Sequence, residues 1–142
     1  MLFRSQGYLE ATQKILETAD EIKRGIEAIP ELYILGNPLF VIAFASETVD
    51  IYRVLDYMAE RHWSLNGLHK PPAVHICVTL RHCQPGTAER FIDDLKSAIS
   101  YVQANSAIQG GMAPVYGMAG TLPMRDLVAD MLKNYLDILF KV

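Results

Sequence analysis

The chain reads as an α+β domain of two layers, with a small antiparallel or mixed sheet covered by helices. Three observations predict this. Apolar residues recur at helical spacing in three separate segments of the 142-residue sequence. Two strand-like runs, "ELYILG" and "LFVIAFAS", are divided only by the turn signal Gly36-Asn37-Pro38, and so short a connection implies antiparallel pairing. A third strand-like run, "AVHICVTL", stands between helical segments. The order α, β, β, α, β, α, loop, α leaves helices to cover one face of the sheet.

The first helix is predicted from about Gly7 to Ile29. Tyr8, Ile15, Ala19, Ile22 and Ile26 form its apolar stripe, widened by Leu9 and Ala11, and Pro30 stops it. Its length suits a connector arriving from another domain. "LFVIAFAS" carries apolar residues on both faces and belongs at the centre of the sheet. Ser46 to Arg61 is the next helix, with Ser46, Thr48 and Asp50 competing to cap it. Residues 62–72 read as a loop holding the single tryptophan, Trp63, as an anchor, and Asn66-Gly67 as a turn. The helix from about Gly86 to Asn105 buries Ala88, Phe91, Ile92, Leu95, Ala98, Ile99 and Val102 and turns Asp93-Asp94 to solvent. "QGGMAPVYGMAG" reads as irregular, and a last helix runs from about Pro123 to Phe140 with Thr121 as candidate N-cap.

Composition narrows the function classes. Just over half of the residues are apolar, so a sizeable core is expected rather than disorder. A net charge of −3 offers no basic face for nucleic acid. The densest apolar run, Leu39 to Ala45, is strand-sized, far short of a membrane span, and "MLFRSQGYLE" lacks the apolar region of a signal peptide. Two cysteines suggest a reducing, cytoplasmic setting.

The most reactive stretch by composition is "HKPPAVHICVTLRHC", residues 69–83. His75 and Cys77 alternate onto one face of a strand, but zinc requires three or four converging ligands, so no metal site is expected. A buried cysteine beside a hydrogen-bonded histidine is the plainer reading. Cys77 and Cys83 lack the setting of a redox pair. Lys70 follows a histidine, as Schiff-base lysines do in some pyridoxal-phosphate enzymes, but two prolines follow it and no phosphate cradle is visible, so it reads as a solvated loop lysine. Gly110-Gly111 lacks the spacing of a nucleotide loop. Tyr116, between Pro114 and Gly117, has two readings: a phenol aimed at a ligand, or a ring packed on the sheet.

Taken in order, "GYLEAT" (7–12), "GNPLFVIAFAS" (36–46), "DIYRVLDYMAERHWSLNGL" (50–68), "PPAVHICVTLRH" (71–82) and "GGMAPVYGMAG" (110–120) resemble the C-terminal part of the sphingosine-1-phosphate lyase family. Those are group II decarboxylase-like enzymes of the aspartate-aminotransferase fold type, dependent on pyridoxal phosphate. The resemblance implies that residues 1–142 are a single C-terminal small domain, with 1–29 as connecting helix and 30–142 as the α+β core. It implies a large N-terminal domain, outside this chain, that carries cofactor and catalytic lysine, and a homodimer with shared active sites. The implied reaction is retro-aldol cleavage of a phosphorylated long-chain base between C2 and C3, giving an aldehyde and phosphoethanolamine. Lys70 does not match the family's catalytic His-Lys motif, so the chain alone is expected to bind no cofactor and to be inert. Tyr116, in the family's Tyr-Gly-Met-Ala motif, is implied to contact substrate or transfer a proton. His75 and Cys77 match the family without an assigned role. A related amino-acid decarboxylase and a stand-alone α+β interaction module are the alternatives.

Overall fold

A computed structural model describes residues 2–107, 111, 113–121 and 125–140. In chain order the elements are α1 (Leu2–Glu27), β1 (Tyr33–Ile34), β2 (Val41–Ala45), α2 (Ile51–Glu60), β3 (Asn66–His69), β4 (Pro72–Cys77), a 3₁₀ turn (Leu80–Cys83), α3 (Thr87–Ala104), α4 (Ala113–Thr121) and α5 (Arg125–Phe140). The sheet order is β1-β2-β4-β3, and every neighbouring pair is antiparallel. The α+β class and the antiparallel β1–β2 pair are as the sequence predicts. The central place of β2 is also as expected.

The register explains the core. Ile42 pairs with Ile76 and Phe44 with Val74, and these four side chains are buried together with the helices on one face. Ala43 pairs with His75 and Val41 with Cys77, so the period of two turns these to the other face, where Val41 and Cys77 are exposed. Ala88, Phe91, Leu95, Ala98, Ile99 and Val102 of α3 are buried, as their spacing requires. Ile92 is only half-buried because it covers Gly25 of α1, where a Cβ would collide with it. Each large apolar side chain such as Phe44 or Phe91 contributes roughly 1.5–3 kcal/mol by leaving water.

Several boundaries differ from the sequence reading. α1 begins at Leu2, and only Ala19, Ile22 and Ile26 of its stripe are fully buried. Tyr8 and Leu9 are 76% and 68% exposed, whereas Ile15 packs half-buried against the core. α2 begins at Ile51 because Asp50 wins the cap: its Oδ1 accepts the Tyr52 N–H at 3.0 Å. Ser46 is occupied elsewhere, donating to the Glu31 carbonyl at 2.6 Å and accepting from Val49 N–H at 3.1 Å. The expected loop 62–72 contains β3, and the expected irregular stretch contains α4. Thr121 is the last residue of α4 rather than the cap of α5, and Pro123 lies outside the described residues.

The loop anchor is firmer than expected. Trp63 is buried, and its Nε1–H donates to Asp94 Oδ2 at 2.7 Å. Asp94 is therefore not a solvated carboxylate but the acceptor that holds the loop against α3. Phe91 meets the indole edge-on at 5.1 Å, and the Arg90 guanidinium lies 4.8 Å from its ring centre.

Candidate functional site

Tyr116 sits on a helix that its own sequence does little to support. α4 is nine residues long, with two internal glycines, and has no polar or charged side chain before Tyr116 to cap it. Pro114 is tolerated because the first helical turn uses no internal N–H there. The missing cap comes from α2: Asp56 Oδ2 accepts the Ala113 N–H at 2.9 Å. A carboxylate at that end also meets the positive pole of the helix. Gly111, at φ 69°, lies so close to the Asp56 carboxylate that a Cβ would collide with it. The left-handed conformation and the close approach both require glycine there.

The Tyr116 ring is held by three neighbours. Tyr52 of α2 stacks on it, with centroids 5.2 Å apart and planes 18° apart. His69, the last residue of β3, lies 5.6 Å away with its ring tilted by 38°. Beneath is Gly67, where a Cβ would stand 2.7 Å from Tyr116 Cε1. The ring packing is thus present, and Tyr116 remains only half-buried. The Tyr52 hydroxyl donates to the Leu68 carbonyl at 2.5 Å. Burial first, then the Asp50 charge and the Tyr116 phenol, push its pKa up, which keeps it a donor.

A cleft of about 550 Å³ flanks α4, lined by Asp50, Arg53, Gln103, Ala113, Pro114 and Gly117 among others. Tyr116 does not line it. The Arg53 guanidinium points to the Asn105 carbonyl at 2.5 Å, so its charge is used to fasten the end of α3.

The reactive stretch is dispersed. Lys70 is exposed in the turn between β3 and β4, preceding a cis peptide to Pro71. Gly110 lies outside the described residues, and Gly111 is packed on a carboxylate. These residues do not fit a pyridoxal-phosphate seat. Among the described residues no three His, Cys, Asp or Glu side chains gather as metal ligands would. Cys77 is exposed rather than buried, and His75 Nδ1 is buried without a hydrogen-bond partner in the described structure, which corrects the plainer reading of that pair. His82 and Cys83 belong to the 3₁₀ turn, with His82 Nδ1 accepting the Thr79 N–H at 2.9 Å and the Cys83 thiol directed at the Thr79 carbonyl at 3.5 Å. Sequence reading missed the parts played by Tyr52, Asp56 and Gly67. The legible signal was the i, i+4 spacing of Tyr52 and Asp56, which puts both on one face of α2.

No protein-family model matches the chain. A sphingosine-1-phosphate lyase from Oryza sativa subsp. japonica is 45% identical over 133 residues, covering 92% of this chain and 24% of that protein. The solved sphingosine-1-phosphate lyase of Burkholderia pseudomallei is 46% identical with a TM-score of 0.67, covering 71% of this chain and 23% of that one. The chain belongs to the sphingosine-1-phosphate lyase family. It corresponds to a C-terminal portion of its relatives and spans about a quarter of the length of the curated relatives it matches. The cystine C–S lyase C-DES, solved in a complex with cysteine persulfide, has a TM-score of 0.52 over 61% of this chain at 16% identity, which shows a shared fold alone. None of the described helices is long and apolar enough to cross a membrane.

Proposed function

We propose that residues 1–142 form the C-terminal small domain of a pyridoxal-phosphate-dependent carbon–carbon lyase, with 1–29 as connecting helix and 30–142 as the α+β core. The reaction class is retro-aldol cleavage of a phosphorylated long-chain base between C2 and C3, releasing an aldehyde and phosphoethanolamine. The observation that carries this reading is the 46% identity to a solved sphingosine-1-phosphate lyase over most of the chain. Pyridoxal phosphate, bound in a large domain outside this chain, supplies the electron sink. The complete protein is a homodimer, and two free thiols, Cys77 and Cys83, suit a reducing cytoplasm.

Within this chain the residue assigned to the chemistry is Tyr116. A half-buried phenol with its ring held by neighbouring rings keeps its hydroxyl oxygen in one place, as a substrate contact or proton carrier requires. Support for this role is its place in the Tyr-Gly-Met-Ala motif and the rigidity of its packing. The chain alone is inert because Lys70 is an exposed turn lysine.

The test has two parts. Pyridoxal phosphate mixed with the chain should give no aldimine absorbance beyond that of a surface lysine, and a stoichiometric band abolished by Lys70→Ala would overturn this reading. In the complete enzyme, Tyr116→Phe should lower kcat for aldehyde release by on the order of a hundredfold with the cofactor spectrum unchanged. Release of carbon dioxide from an amino acid, without aldehyde from a phosphorylated base, would instead identify a decarboxylase.

A further inference from the structure

Two side chains of α2, four residues apart, grip two residues of α4, three residues apart. Asp56 accepts the Ala113 N–H, and Tyr52 stacks on the Tyr116 ring. Both spacings place their members on one helix face. We propose that Tyr52 and Asp56 form a two-point clamp by which α2 positions α4, making Asp56 a positioning residue for the Tyr116 phenol. This rests on the assignment of Tyr116 above for its catalytic consequence, though not for the clamp itself.

The physical case starts from α4. A short helix with Gly117 and Gly120 inside it does not form on propensity, because nucleation is costly and glycine adds to the cost. External contacts must hold it. Ala113 is buried against the core, and Tyr116 is wedged between Tyr52 and Gly67. Asp56 adds a charged acceptor to one of the first four N–H groups, which have no partner inside the helix. Gly111 leaves room for the carboxylate to come that close. The base of the clamp is rigid: Tyr52 is tied to the Leu68 carbonyl, and Val54, Leu55 and Met58 of α2 are buried. Asp56 therefore controls the start of the helix, and the start of the helix controls where the Tyr116 hydroxyl points.

Two measurements separate the clamp from the role of Tyr116. Hydrogen exchange on the chain should show the amides of Ala113 and of residues 115–117 exchanging on the order of tenfold faster in Asp56→Ala, with the amides of β2 and β4 unchanged. Unchanged exchange at 113–117 would overturn the clamp whatever Tyr116 does. In the complete enzyme, Asp56→Ala should lower kcat on the order of tenfold or more with KM nearly unchanged. Combined with Tyr116→Phe it should add little, because both changes remove the same oriented phenol. Fully additive losses would overturn the positioning role. An unchanged kcat in Tyr116→Phe beside fast exchange in Asp56→Ala would defeat the Tyr116 assignment and keep the clamp. If Asp56→Ala does not fold, Asp56→Asn serves: it retains an oxygen acceptor, so a smaller effect in the same direction supports the proposal and no effect on exchange or kcat overturns it.

Discussion

Tyr52 stacks on Tyr116 while its own hydroxyl donates to the Leu68 carbonyl at 2.5 Å, so one side chain joins α2, α4 and β3. The two functions can be taken apart. Tyr52→Phe preserves the stack and leaves the Leu68 carbonyl without that donor, which should cost about 1 kcal/mol of stability. Tyr52→Ala also removes a buried aromatic ring, and about 3–5 kcal/mol should be lost. Urea midpoints of the two variants check the difference. Equal losses would mean that the ring contributes nothing beyond the hydroxyl.

Gly67 is required by contact rather than by turn geometry. An added methyl would stand 2.7 Å from Tyr116 Cε1 and 2.9 Å from Cδ1, closer than carbon atoms approach. Gly67→Ala must push the Tyr116 ring away from β3, at a cost of about 1–3 kcal/mol. In the complete enzyme the displaced phenol should also lose activity on the scale of Tyr116→Phe. A variant of unchanged stability would show that α4 yields freely, and that the ring is not wedged.

That outcome bears on what could be read from sequence. α2 and α3 were legible because each carries an apolar stripe that matches its own burial, as at Phe91, Leu95 and Ala98, and α1 because the later part of its stripe, Ala19, Ile22 and Ile26, does so. β2 and β4 were legible as apolar runs with alternating faces. β3 was not, because "NGLH" has no β-branched residue and opens on a turn dipeptide. Its strand conformation comes from pairing with β4 and from Tyr52 and Tyr116 above it. α4 was hidden for the same reason: its cap is supplied by Asp56, 57 residues earlier, and a local reading of Gly and Pro sees only a loop. Tyr116 was found through a motif, whereas its supports, Tyr52, Gly67 and Asp56, are defined only by tertiary contact.

Trp63 offers an independent probe of the α3 interface, and it is the single tryptophan in the chain. Its Nε1–H donates to Asp94 Oδ2 at 2.7 Å, and its ring meets Phe91 edge-on. Trp63→Phe keeps an aromatic ring but strands the half-buried carboxylate and leaves a small void, so about 2–3 kcal/mol should be lost. Asp94→Asn retains an oxygen acceptor and should lose less, about 1 kcal/mol. In that variant Trp63 remains, and its fluorescence reports unfolding directly. Equal losses in the two variants would assign the effect to the hydrogen bond alone.

His82 gives the fold an acid-sensitive point. Its Nδ1 accepts the Thr79 N–H, which fixes the proton of the neutral ring on Nε2, and the ring stacks 6.4 Å from Trp63. Burial first, reinforced by the Arg81 charge, pulls its pKa below the ordinary 6.5. The sign follows from proton counting. Between the depressed folded pKa and the ordinary value, the unfolded chain binds more protons than the folded one, so stability rises with pH there. The contribution of the neutral imidazole is fully present above about pH 6.5 and is lost as pH falls through the folded value. His82→Asn retains an acceptor oxygen near the Nδ1 position and does not titrate. Wild type should therefore lose stability relative to that variant as pH drops below 6.5, and the difference should be flat above it. A parallel pair of curves throughout would mean that His82 titrates alike in both states and that its turn is open to water.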